Sequence, residues 1–246
     1  MNGAQILHCA QTKGSGLVAD AANSTITITM NEGTLINDCY VGANHGLFKI
    51  YNGTRLIINS GTISNIKGWD SNGVAIGGVS GYIEMNGGII TNVAGIPSLQ
   101  NGRNAPVYIH RNTVFIMNGG SIVNNYGGSC GGVDAPYTTE GYTSYVEINS
   151  GTIAYNSVIL SQYENSKDIR GSEKITIIDG IFTQDVSQWC AENFGAIRLP
   201  DGTYKVKSLL FQAYACVNGI IYPADVYTCV NGKIYKVDKI QSNLYI

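Results

Sequence analysis

The stretch Ile83–Asn92, IEMNGGIITN, recurs in variant form along the 246-residue chain, and its repetition decides the fold. The other copies are ITMNEGTLIN from Ile28, LIINSGTISN from Leu56, FIMNGGSIVN from Phe115, VEINSGTIAY from Val146 and the looser ITIIDGIFTQ from Ile175. Their glycines, Gly33, Gly61, Gly88, Gly120, Gly151 and Gly180, are spaced by 28, 27, 32, 31 and 29 residues. Such a period marks a repeat architecture in which each unit buries its apolar face against its neighbours. Five residues before each glycine stand Ile28, Leu56, Ile83, Phe115, Val146 and Ile175. Three before it stand Met30, Ile58, Met85, Met117, Ile148 and Ile177. Two after it stand Leu35, Ile63, Ile90, Ile122, Ile153 and Phe182. The first two columns share one face of a strand, and the position between them is mixed. That alternation has period 2 and not 3.6, and Asn and Gly would interrupt any helix.

The chain therefore reads as all-β: a parallel β-solenoid of about six or more coils with a small C-terminal β cap. At about 4.8 Å per coil the rod is roughly 30 Å long. Two asparagine columns fit corners of the coil. One holds Asn31, Asn59, Asn86, Asn118 and Asn149; the other holds Asn37, Asn65, Asn92 and Asn124. Asn tolerates left-handed turns and can bond to its equivalent one coil away. Both columns read as scaffold rather than as ligand sites.

Residues 1–206 form the solenoid on this reading, with 1–24 as an incomplete coil or N-terminal cap. Residues 207–246 form a C-terminal β-hairpin cap or appendage. The twin CVNG segments at Cys216 and Cys229 mark the hairpins, since Asn-Gly between β-formers is a strong turn signal. A solenoid needs such a cap over its open edges. The six cysteines show no CxxC pair and no zinc-like spacing, and read mostly as small core residues, with a Cys216–Cys229 disulfide left open.

Net charge is −2, with no basic run, which argues against nucleic acid and anionic membrane as partners. No apolar run approaches a bilayer span, and no signal peptide is visible. The expectation is an extracellular protein, on a virion or a cell surface.

The Gly-Gly-Val segments and the MNGG coils resemble the right-handed parallel β-helix of the pectate-lyase-like superfamily. The stretch Gly180–Phe194, GIFTQDVSQWCAENF, with Asp201–Val206, DGTYKV, resembles a closing motif of repeat proteins from gut bacteria and their phages. The resemblance implies architecture, and a setting among surface proteins, adhesins and phage appendages. Fold-level likeness does not fix activity.

Catalysis on this fold would need acids on nearby coils. Glu84 and Glu147 share a column but lie two coils apart with Ile116 between them. Asp134 and Glu140 lie in one return segment, and Asp168, Arg170 and Glu173 in another. If the chain is a polysaccharide lyase or glycoside hydrolase, Asp134, Glu140, Asp168 and Arg170 are the candidates. No nucleophile motif, P-loop or metal cluster is apparent, and no cofactor is expected. An ice-binding threonine ladder is also missing.

Binding is the remaining class. Sixteen tyrosines supply flat rings for sugars or protein surfaces. Tyr82, Tyr108, His110, Arg111, Tyr137, Tyr142 and Tyr145 are the candidate ligand residues. The leading reading is a noncatalytic structural or receptor-binding β-helix. Its partners would be a host surface glycan or protein receptor, other copies of itself as a homotrimer, or a larger particle. An architectural spacer is a further alternative.

Overall fold

The computed structural model of the chain describes residues 1–10, 17–19, 25–42, 46–69, 74–96, 104–136, 142, 144–171, 174–209, 213–217, 220–224, 227–230 and 233–236. The repeat folds as a parallel β-solenoid, with each phrase turning at its glycine. Six strands stack before the glycine: Thr27–Met30, Arg55–Ile58, Tyr82–Met85, Val114–Met117, Tyr145–Ile148 and Ile175–Ile177. A second sheet follows the glycines and bends at the asparagine corner into a short third face. Leu35–Val41 and Thr62–Trp69 run through that bend, whereas later coils break there, as in Ile89–Thr91 and Ala94–Ile96. A return sheet of Leu17–Ala19, Phe48–Tyr51, Ile76–Val79, Val107–Ile109, Val133–Ala135 and Ile169–Gly171 closes each coil.

The glycine is required twice over. At Gly120 φ is +87°, and an added Cβ would lie 2.7 Å from the Gly87 carbonyl oxygen of the coil below. The next corner uses left-handed Asn65, Asn92, Asn124 and Tyr155, with φ between 52° and 58°. Buried rows from the successive sheets form one continuous core, including Met30, Leu56, Ile83, Phe115, Ile148 and Phe182.

One column differs from the glycine-aligned expectation. Ile36, not Leu35, pairs with Ile63 and fills the core, and Leu35 is half-buried. The first copy carries one extra residue between its glycine and the strand. The left-handed corner of that coil accordingly falls on Asp38 and not on Asn37.

The asparagine column before the glycine is a hydrogen-bonded ladder. Asn31 donates to Asn2 at 2.7 Å, Asn59 to Asn31 at 2.9 Å, Asn86 to Asn59 at 3.0 Å, Asn118 to Asn86 at 2.8 Å and Asn149 to Asn118 at 2.9 Å. Asn2 extends the column by one rung, because Gln5–Leu7 adds a parallel strand beside Leu35–Val41. Where the repeat ends, the direction of pairing changes. Tyr204–Ser208 lies antiparallel to Gly180–Phe182 and to Phe194–Arg198. Beyond it, Ala213–Val217 pairs with Ile220–Ala224, and Tyr227–Val230 with Lys233–Lys236, each as an antiparallel pair of the kind the CVNG segments predict.

Candidate functional site

The outward rows of the return sheet hold the residues of interest. Register places Lys49, Gly77, Tyr108, Asp134 and Arg170 in one column across five coils. Tyr51 and Val79 are paired beside it, and the His110 amide donates to the Gly78 carbonyl at 3.0 Å, which continues that second row. Gly77 has no side chain, so the first row has a gap between Lys49 and Tyr108. A cavity of about 300 Å³ opens there, lined by Gly46, Lys49, Tyr51, Gly77, Tyr108 and His110 with Gly78 and Val79. Its volume sits at the lower end of the range for ligand pockets.

The walls are organised by ring contacts. The Lys49 ammonium lies 5.2 Å from the centre of the Tyr51 ring. The Tyr108 and His110 rings are 5.6 Å apart and tilted by 44°. Tyr108 is buried, while Lys49, Tyr51 and His110 are half-buried. The cavity thus has the Lys49 ammonium and Tyr51 ring on one side and the Tyr108 and His110 rings two coils away on the other, across the Gly77 gap.

Above Tyr108 the row becomes a salt bridge. Asp134 is fully buried and accepts from Arg170 Nε at 2.9 Å, from Arg170 Nη2 at 2.7 Å and from Ser129 Oγ at 3.0 Å. The Arg170 guanidinium also packs over the Tyr163 ring at 5.0 Å. Burial works against the charge on Arg170, but the paired Asp134 more than offsets it and raises its pKa.

Asp168 is buried as well. Its Oδ2 accepts from the Thr183 amide, from Thr183 Oγ1 at 2.8 Å and from the Gln184 amide at 2.9 Å, and its Oδ1 accepts from Asn156 Nδ2 at 3.1 Å. Burial pushes its pKa up, against the pull of those donors. Asp134 and Arg170 are therefore paired in the wall, whereas Asp168 bonds a separate set of residues, Asn156, Thr183 and Gln184, at the corner. Glu140 and Glu173 lie outside the described residues, as does Tyr137.

The other tyrosines divide between two places. Tyr82 and Tyr145 stand on the sheet before the glycine, both in register with Val114. Tyr82 carries the Arg55 guanidinium over its ring at 4.4 Å and donates to Glu84 at 3.0 Å. Burial, then Glu84, raises the Tyr82 pKa. Glu84 in turn accepts from Asn86 at 3.0 Å, so this carboxylate belongs to the ladder. Tyr145 is exposed. Arg111 lies over the Tyr142 ring at 4.6 Å, just beyond His110 in sequence. No family model, curated protein or solved structure matches the chain.

Among the candidate ligand residues, the cavity takes in Tyr108 and His110. Lys49, Tyr51 and the Gly77 gap were missed. Their signal was present in FKIY, IGGV and VYIH, which align as one column once the returns are placed in register. A larger groove of about 490 Å³ follows the glycine corner through Gly33, Gly61 and Gly88. Its lining is glycine, Ser60, two threonines, Leu35 and Ile89, without a charged or aromatic group, so it follows directly from the glycine column.

Proposed function

We propose that this chain is a noncatalytic, surface-displayed β-solenoid that binds carbohydrate in the return-sheet cavity. The cavity carries the reading. Tyr51 and Tyr108 supply apolar ring surface, and Lys49 and His110 supply polar contacts suited to hydroxyl groups. The size suits one ring-sized group, such as the end or a single unit of a glycan. Of the three candidate carboxylates for turnover, Asp134 and Asp168 are held in structural bonds, and Glu140 lies outside the described residues. That supports binding over hydrolysis or elimination, both of which need an acid or base placed against the substrate.

On this reading the chain belongs with the β-helix proteins of the pectate-lyase-like superfamily from gut bacteria and their phages. It acts outside the cell as a virion appendage or surface protein. The half-buried Ile57 and Ile116, on the outer side of the sheet before the glycine, give it a strip for self-association into a trimer.

The test is a saccharide array followed by calorimetry on the best ligand. Lys49→Ala and Tyr51→Ala are each expected to weaken binding about tenfold, or about 1.4 kcal/mol. Release of reducing ends or unsaturated products from the bound polysaccharide would overturn the reading. So would binding that neither substitution alters.

A further inference from the structure

The first corner of the solenoid holds two cysteines in register. Gln5, Ile6 and Leu7 pair with Leu35, Ile36 and Asn37, and Ala10 pairs with Tyr40 at the same offset. Cys9 therefore stacks on Cys39. Two backbone bonds bracket the pair: the His8 amide to the Asn37 carbonyl at 3.2 Å, and the Tyr40 amide to the Cys9 carbonyl at 2.7 Å. His8 and Asp38 share the same left-handed turn, each with φ 55°, and their side chains pair at 2.7 Å. The two coils thus follow one path through this corner.

Neighbouring parallel strands lie about 4.8 Å apart, inside the Cα separation of about 4.4–6.8 Å that a disulfide spans. Both cysteines are reduced, with Cys9 exposed and Cys39 only 3% exposed. Burial pushes the Cys39 thiol up, and the adjacent Cys9 thiol adds to the shift. The two residues thus differ in access in the way an attacking and a resolving thiol do.

We propose that Cys9 and Cys39 form a thiol–disulfide exchange site that takes low-molecular-weight disulfides and locks the N-terminal coil onto its neighbour. The Cys9 thiolate attacks one sulfur of oxidised glutathione, releasing one glutathione thiolate and leaving a Cys9–glutathione disulfide. Cys39 loses its proton to solvent and attacks Cys9 Sγ, forming the Cys9–Cys39 bond and releasing the second glutathione. Two protein thiols are oxidised and one glutathione disulfide is reduced to two thiols. Among the described residues Gln5–Leu7 pairs with Leu35–Val41 alone, so a covalent tie at this corner adds a second hold on that strand.

The experiment incubates the full chain in glutathione redox buffers, alkylates free thiols and maps peptides by mass spectrometry. The expected result is a Cys9–Cys39 cross-linked peptide, with loss of two alkylatable thiols. Cys9→Ser, at an exposed position, should abolish that cross-link. Cys39→Ala should stop at a glutathione adduct on Cys9. Full alkylation of Cys9 in oxidised buffer, or a wild-type Cys9 adduct that never resolves, would overturn the proposal.

Discussion

Gly120→Ala separates the two demands made on the corner glycine. The left-handed conformation at φ +87° costs a residue with a Cβ about 1–2 kcal/mol. The new methyl would also sit 2.7 Å from the Gly87 carbonyl oxygen and 2.7 Å from Met85 Cε. The methionine end can move, but the carbonyl belongs to the coil below and is fixed by the ladder of strands. Overpacking of that kind costs about 1–3 kcal/mol. Reduced freedom of the unfolded chain returns about 0.4–1 kcal/mol. The net loss is about 1–4.5 kcal/mol, read as a shift in the denaturant midpoint at unchanged slope. Two controls divide the effect. Gly202→Ala has φ +88° with nothing within 4 Å, so it carries the conformational part alone. Gly119→Ala is not in the left-handed region but meets the Asn86 carbonyl oxygen at 2.7 Å, so it carries the steric part alone. If Gly120→Ala lay within about 0.5 kcal/mol of wild type, the corner would not be the constraint that sets the repeat.

Three further outcomes follow from the same contacts. Asn86→Ala removes donations to Asn59 and Glu84 and the acceptor for Asn118, and should lower stability by about 1–2 kcal/mol in denaturant titrations, against under about 1 kcal/mol for Asn2→Ala at the ladder's end. Arg170→Ala removes both guanidinium donations to the buried Asp134 carboxylate and should cost about 3–5 kcal/mol, measured by thermal unfolding. Tyr155→Asn relieves a left-handed tyrosine that is 57% exposed and should stabilise by about 0.5–1 kcal/mol in the same assay.

The sequence carried the scaffold almost completely, because the scaffold repeats. Core columns, corner glycines and the ladder are each visible as one residue type at one offset. Alignment on the glycine failed only where the turn absorbed a residue, at Leu35 and Ile36, where two adjacent apolar side chains gave alternation no preference. The site was less legible for the opposite reason. Return segments differ in length, so their columns do not align by counting, and the Gly77 gap appears only once Lys49 and Tyr108 are known to flank it. The structural role of Asp134 and Arg170 is hidden in the sequence because neither shows its partner locally. Their pairing is a register contact between coils, separated by 36 residues in sequence.

A solenoid concentrates discrete recognition where its rows stop repeating. Identical residues at each coil present the same group every 4.8 Å or so, which suits a ladder and gives a single ligand no fixed position. The return row reads Lys49, Gly77, Tyr108, Asp134, Arg170, with no residue type used twice. Each coil contacts only its neighbours, so a change in that row disturbs one or two coils and leaves the rest of the stack intact. Gly77→Val puts the argument to a direct test. Gly77 shares the outward row with Lys49 and Tyr108, so the added side chain enters the cavity and not the core, which at this strand is filled by Ile76. Gly77 is itself buried beneath the cavity, so unfolding is followed alongside: the variant should keep a single cooperative transition yet lose the saccharide binding that Lys49 and Tyr51 support. Binding retained with the gap filled would place recognition elsewhere, with Tyr82 and Tyr145 on the sheet before the glycine as the next surface to test.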